Sequence, residues 1–160
     1  MRLLFLTLVC LIFTACASTP KSALTSVEIR EIKPRYIEAD QLTRINEYFT
    51  GQENTGNRVF LRSSPEAKNG YYFTLILDEK IRRLPKGTTI IGEFYTPDDV
   101  DLQRYEFTLP NRRPKTKEIF VGLTGDDWPG AEAIPAAWRF TIKGPNGNTL
   151  GESQSFLWSL

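Results

Sequence analysis

The chain contains no histidine, and its two cysteines, Cys10 and Cys16, both lie within the first sixteen residues. Without histidine the commonest general base and metal ligand is missing, which excludes Ser-His-Asp and Cys-His catalysis. Without a cysteine beyond residue 16 there is no internal disulfide, no thiolate nucleophile and no cysteine-based zinc site in the body of the chain. Charge of either sign is not in excess: 20 Lys+Arg face 19 Asp+Glu, a formal net charge of +1. Nothing in that balance calls for nucleic acid or an acidic membrane as a partner. No cofactor and no metal are expected.

One apolar run is present, and it stands at the very start. Met1-Arg2 is followed by "LLFLTLVCLIFTA", thirteen residues without a charge. One positive residue and then an apolar run of this size is the anatomy of a secretory signal peptide. A membrane-spanning helix needs about 20 apolar residues, and this run stops short of that. The polar "ASTPKS" that follows lacks a basic stop-transfer cluster.

The end of the run, "IFTAC", resembles the lipobox of bacterial lipoproteins. Thr14 and Ala15 supply the small residues before the cysteine, while Phe13 departs from the Leu, Val or Ile usual at its position. Cys10 follows bulky Leu8 and Val9 and fits the pattern poorly. The resemblance implies that Cys16 becomes the lipidated first residue of the mature chain, anchored in the cell membrane or outer membrane on its non-cytoplasmic side. Ala17 resembles the residue found after the cysteine of lipoproteins released to the outer membrane. Several acyl chains, at about 0.8 kcal/mol per buried methylene, would hold such a chain firmly. Removal of residues 1–15 takes away only Arg2, leaving nineteen basic and nineteen acidic residues.

The expected organisation is therefore a signal peptide at 1–15, a lipidated tether at 16–25 and one domain at 26–160. The tether composition, "ASTPKSALT", is small, polar and proline-containing. Beyond it, period-2 alternation recurs. It runs through "SVEIREI", "NRVFLRS", "GYYFTLILD", "TTIIGEFYT", "QRYEFTLP" and "EIFVGLT". A closing hairpin is expected over "AAWRFTIKGPNGNTLGESQSFLWSL", with Trp138, Phe140 and Ile142 facing in and Phe156 and Trp158 returning on the same side. "TTIIGEFYT" is expected to be covered on both faces. The segment "ADQLTRINEYF", with Leu42, Ile45 and Phe49 at helical spacing and Asp40 as N-cap, reads as a short helix or an irregular crossover.

About seven or eight short strands separated by turn clusters predict an all-β fold, a single antiparallel two-sheet sandwich. Strands of an outer-membrane barrel need about 9–11 residues with a lipid-facing apolar row, and most runs here are shorter and carry outward Arg or Glu. In architecture the domain resembles small immunoglobulin-like sandwiches, without their Cys…Trp…Cys signature.

Four features bear on function. In "TGDDWPGAE", Asp126, Asp127, Trp128 and Glu132 form a candidate binding loop, because an indole face with acidic acceptors is how sugars are gripped. The other reading is a loop whose Trp tucks over the sandwich end. "TPDDVD" gathers Asp98, Asp99 and Asp101 at calcium-like spacing, without the Gly and terminal Glu of an EF-hand loop. Two basic connections carry Lys80, Arg82, Arg83 and Lys86, and Arg112, Arg113, Lys115 and Lys117. They read either as solvated turns or as a surface for lipid phosphates or an acidic polymer. Carboxylate pairs abound among 19 acids, but their separation in space is not a property of sequence.

The expected function is a lipid-anchored, non-enzymatic binding or assembly module of the cell envelope. Its partners would be the membrane, through Cys16, and an envelope protein or cell-wall glycan. The alternative is carbohydrate or cell-wall recognition through the Asp126–Trp128 loop, and after it a hydrolase using carboxylates alone.

Overall fold

Each alternating run becomes a strand in the computed structural model, which describes residues 24–96 and 99–159. The signal peptide, Cys10, Cys16 and Asp98 lie outside the described residues. The elements are β1 (Ile29–Ile37), α1 (Ala39–Leu42), α2 (Ile45–Thr50), β2 (Val59–Arg62), β3 (Gly70–Leu77), β4 (Thr89–Thr96), β5 (Asp99–Thr108), β6 (Glu118–Thr124), β7 (Ala137–Lys143) and β8 (Thr149–Gln154). Short 3-10 turns stand at Ile81–Arg83, Gly125–Asp127 and Phe156–Ser159.

Two four-stranded sheets form, in the orders β1-β3-β6-β2 and β5-β4-β7-β8. This is immunoglobulin-like connectivity: β1, β3 and β6 take the places of strands A, B and E, and β4, β5, β7 and β8 those of C, C′, F and G. The expected sandwich is thus present, with one exception to its antiparallel pairing. β2 lies parallel to β6, with Val59 opposite Ile119 and Arg62 opposite Gly122. β2 falls between β1 and β3 in the chain yet occupies the far edge of their sheet. The intervening residues 38–58 cross the sheet on the way, so β2 starts at the end from which β6 also starts.

Alternation sorts the side chains as the period-2 pattern requires. Tyr71, Phe73, Leu75 and Leu77 of β3 meet Ile90, Phe94, Phe140 and Ile142 of the opposite sheet in the main core. At its centre the rings of Phe73, Phe94 and Phe140 lie 5.0–5.4 Å apart, centroid to centroid. Pro34 has no N–H to donate, and it falls on the edge strand β1, where none is needed on the open side.

The outer face of the first sheet is also covered. Ile37, Tyr72 and Phe120 form a second cluster, with Leu42 and Phe60 packed against it. The helical-looking segment therefore is helical, but broken in two. Thr43 and Arg44 are extended, at ψ 127° and 152°, and this turns α2 relative to α1. As a result Leu42 packs inward, whereas Ile45 and Phe49 are exposed and Glu47 is buried. Glu38, not Asp40, stands at the N-cap of α1, with no side-chain capping bond.

The C-terminal expectation needs correction. Leu150 is the inward residue of β8, and the chain leaves the sheet after Gln154. Phe156 is exposed, and Trp158 stacks on the outer side of the second sheet, 5.4 Å from Tyr95 and 4.8 Å from the Arg139 guanidinium carbon. The outer face of β4 is accordingly half covered: Ile91 and Glu93 are partly buried and Tyr95 is exposed. The returning strand is the polar "TLGESQ", whose single inward residue gives little period-2 signal.

Candidate functional site

The loop proposed from sequence follows β6 at the sandwich end away from Ile29. Buried Thr124 fixes its root: Oγ1 donates to Ser64 O (2.8 Å) and accepts from Ser64 N–H (3.0 Å). Gly125, at φ 62°, then turns the chain into a left-handed conformation that a side chain would strain. This turn carries Trp128 back under the loop. The indole is 4 % exposed, packs at 4.7 Å on the Tyr71 ring, and donates from Nε1 to Gly130 O at 2.9 Å.

The four candidate residues share a loop but not a surface. Trp128 closes the end of the main core, so the stacking platform expected there is not offered to solvent. Asp127 is half-buried and accepts from the Tyr105 hydroxyl at 3.3 Å. Burial, and secondarily this carboxylate, pushes the Tyr105 pKa up. Asp126 and Glu132 are exposed. The geometry is that of a lid over the core, the second of the two sequence readings.

Of the aspartates of "TPDDVD", Asp99 is similarly employed. Asp99 accepts from Asp101 N–H (2.9 Å) and Gln103 Nε2 (3.3 Å), shaping the start of β5. Among the described residues no group of three Asp, Glu, His or Cys side chains gathers where it could hold a metal ion.

The basic connections behave differently. Ile81 N–H donates to Thr116 O (2.9 Å) and Leu77 N–H to Lys117 O (3.0 Å), which pins the two segments side by side. Arg113 reinforces the joint, donating to the carbonyls of Ile81, Leu84 and Pro85 at 3.4, 3.0 and 3.2 Å. Burial lowers the Arg113 pKa from the usual arginine value. Beside this joint opens a cleft of about 1060 Å³, with Arg82, Arg112 and Lys115 on one wall and Arg58 on another. The sequence reads the two basic segments as solvated turns or as a surface for phosphates, and it carries no signal that joins Arg58 to them. Arg58 precedes β2, and the parallel β2–β6 pairing is what carries it to the same end.

A further charged site stands under the crossover. Glu47 accepts from Lys68 Nζ and, at 3.1 Å, from Arg44 N–H. Nearby, Arg62 holds Glu53 through both terminal nitrogens (2.9 and 2.6 Å), and its Nε donates to the Tyr72 hydroxyl at 2.9 Å. That hydroxyl in turn donates to Lys68 O (2.7 Å), so the two ion pairs share a frame. Burial is the first reason the Tyr72 pKa is raised.

This frame makes stability sensitive to acid. The Lys68 hydrogen bond, foremost, holds the Glu47 pKa at about 2 against an ordinary 4.5. A carboxyl depressed by folding stabilises above its unfolded pKa and loses that contribution as pH falls toward the folded value. The melting temperature should therefore drop as pH is lowered from about 4.5 toward 2. In Lys68→Met the drop should be shallower; an equally steep slope in calorimetric scans would place the acid sensitivity elsewhere.

Comparison with known proteins gives little further. No protein-family model and no curated protein matches the chain. Among solved structures, an immunoglobulin-like protein from Pseudomonas aeruginosa is similar, at 16 % identity over 83 % of this chain and 97 % of that one, with a TM-score of 0.32. The fold itself rests on the strand order and register given above.

Proposed function

We propose that the chain is a lipid-anchored, non-enzymatic module of the cell envelope that binds or helps assemble a partner there. The support is the lipobox resemblance at Cys16, followed within a few residues by a folded domain. Leu24 already packs against the main core, and Val27 N–H pairs with Leu150 O at 2.8 Å. The absence of histidine from the sequence favours binding over catalysis. The burial of Trp128 away from the exposed acids of its loop weighs against the carbohydrate-recognition alternative.

The test is direct. Intact-mass measurement of the protein from membranes should show an acylated Cys16 at the N-terminus, and Cys16→Ser should move the protein from the membrane to the soluble fraction. Full retention of Cys16→Ser in washed membranes would overturn the anchor.

A further inference from the structure

The two ends of the sandwich differ in charge, and the tether joins only one of them. Ile29, the first residue of β1, pairs with Leu77, the last of β3. The chain therefore enters the domain at the end where β3 runs into residues 78–88. Glu118 at the start of β6 pairs with Ile76, and Thr108 at the end of β5 pairs with Thr89, so residues 109–117 lie at that end too. These are the two basic connections. β2 begins there as well, bringing Arg58.

Acids are fewer at this end: Glu28 and Glu118 are exposed beside the basic loops, and the others are engaged. Glu79 pairs with Arg83, and Asp78 Oδ1 accepts from Glu28 N–H at 3.0 Å. Glu53 borders the cleft but is held by Arg62, which keeps its carboxyl below the usual range. Arg58, Arg82, Arg112 and Lys115 are exposed and form no salt bridge among the described residues. The opposite end carries exposed Asp101, Asp126 and Glu132. An overall charge near zero thus conceals a molecule that is basic at the tether and acidic away from it.

Taking the Cys16 anchor as given, we propose that this basic end is a second membrane contact, seated on anionic lipid headgroups. Eight residue steps separate Cys16 from Leu24, and a flexible chain of that length would span about 16 Å on average. Charges act over about 8–10 Å at physiological salt, and a tether this short lets the basic loops approach the surface to within that distance. Juxtamembrane Lys and Arg are drawn to such a surface, whereas the acidic far end is repelled by it. Four unpaired cations around one open cleft also suit several phosphates better than one. The contact fixes orientation: the loop with Asp126 and Glu132 is held away from the membrane, facing whatever the module meets.

The experiment uses the full lipidated protein in nanodiscs of phosphatidylcholine, with and without phosphatidylglycerol. Acylation of Cys16 is first verified by mass. Amide hydrogen exchange over 78–88 and 109–117 should slow several-fold in the anionic discs, revert at high salt, and stay unchanged over 125–136. The variant carrying Arg82→Gln, Arg112→Gln and Lys115→Gln should melt like the parent and lose the lipid-dependent difference. Equal exchange in both lipids with Cys16 acylated would overturn the docking while leaving the anchor standing. An unmodified Cys16 would remove the anchor and the docking with it. Protection by added polyphosphate but not by anionic lipid would assign the cleft to a soluble polyanion and overturn the membrane contact.

Discussion

Phe73→Ala should lower the unfolding free energy by about 3–5 kcal/mol, the range for emptying a fully buried aromatic site. Phe73 sits on β3, and Phe140 and Phe94 face it from β7 and β4, all three without solvent exposure. These strands hold the positions where immunoglobulin domains place a disulfide between B and F, with a Trp on C. Here both cysteines precede residue 17, so the same junction must be closed by packing alone. Rings at 5.0–5.4 Å in tilted and edge contact add about 0.5–1.5 kcal/mol per pair beyond burial. A domain with a total stability of about 5–15 kcal/mol has little left after such a loss. Urea unfolding of Phe73→Ala should show the midpoint sharply lowered with an unchanged slope. Phe60→Ala, outside the main core and only half-buried, should cost distinctly less. Equal losses at the two positions would mean that the trio is not the keystone of the sandwich.

The strands of this fold were legible because a sheet with one wet face writes its burial into every second residue. β2 and the end of β5 follow that rule, with Val59, Leu61 and Phe107 buried between less buried neighbours, whereas β3 is an apolar run buried on both faces. β8 and the crossover were not legible, for two different reasons. Edge strand β8 buries only Leu150 and otherwise shows polar residues, which leaves no period to detect. In the crossover, a helical apolar spacing at Leu42, Ile45 and Phe49 was cut by extended Thr43 and Arg44. The decisive contact there is Glu47 with Lys68, twenty-one residues apart and with no local signal. The pattern of cations was visible, but their convergence was not. Only the parallel β2–β6 register, a long-range fact, brings Arg58 beside Arg82 and Arg112. Trp128 shows the opposite failure. A tryptophan flanked by Asp, Gly and Pro has the composition of an exposed binding loop and, equally, of a tight turn folding an indole inward.

Trp128→Ala decides between those two roles, and its expected effect is as large as that of the core phenylalanine. The indole is buried on Tyr71 with its N–H satisfied inside its own loop. Truncation removes a large apolar surface and leaves a cavity between the loop and the end of the sandwich. The expected cost is about 3–5 kcal/mol, with Trp128→Phe recovering most of it because the ring contact is kept while one hydrogen bond of about 1 kcal/mol is lost. Asp126→Ala and Glu132→Ala, at exposed positions, should stay within about 0.5 kcal/mol of the parent. Asp127→Ala should fall between, since it releases the Tyr105 hydroxyl in a half-buried site. A ligand-gripping indole would give the reverse order, with Trp128→Ala folding normally and Asp126→Ala sharing its loss of binding. Near-parental unfolding of Trp128→Ala in denaturant would therefore overturn the lid and restore the loop as a recognition surface. A graded series of Trp128→Ala, Asp127→Ala and Asp126→Ala, from largest loss to none, would instead measure how the turn after Gly125 seals the far end of the sandwich.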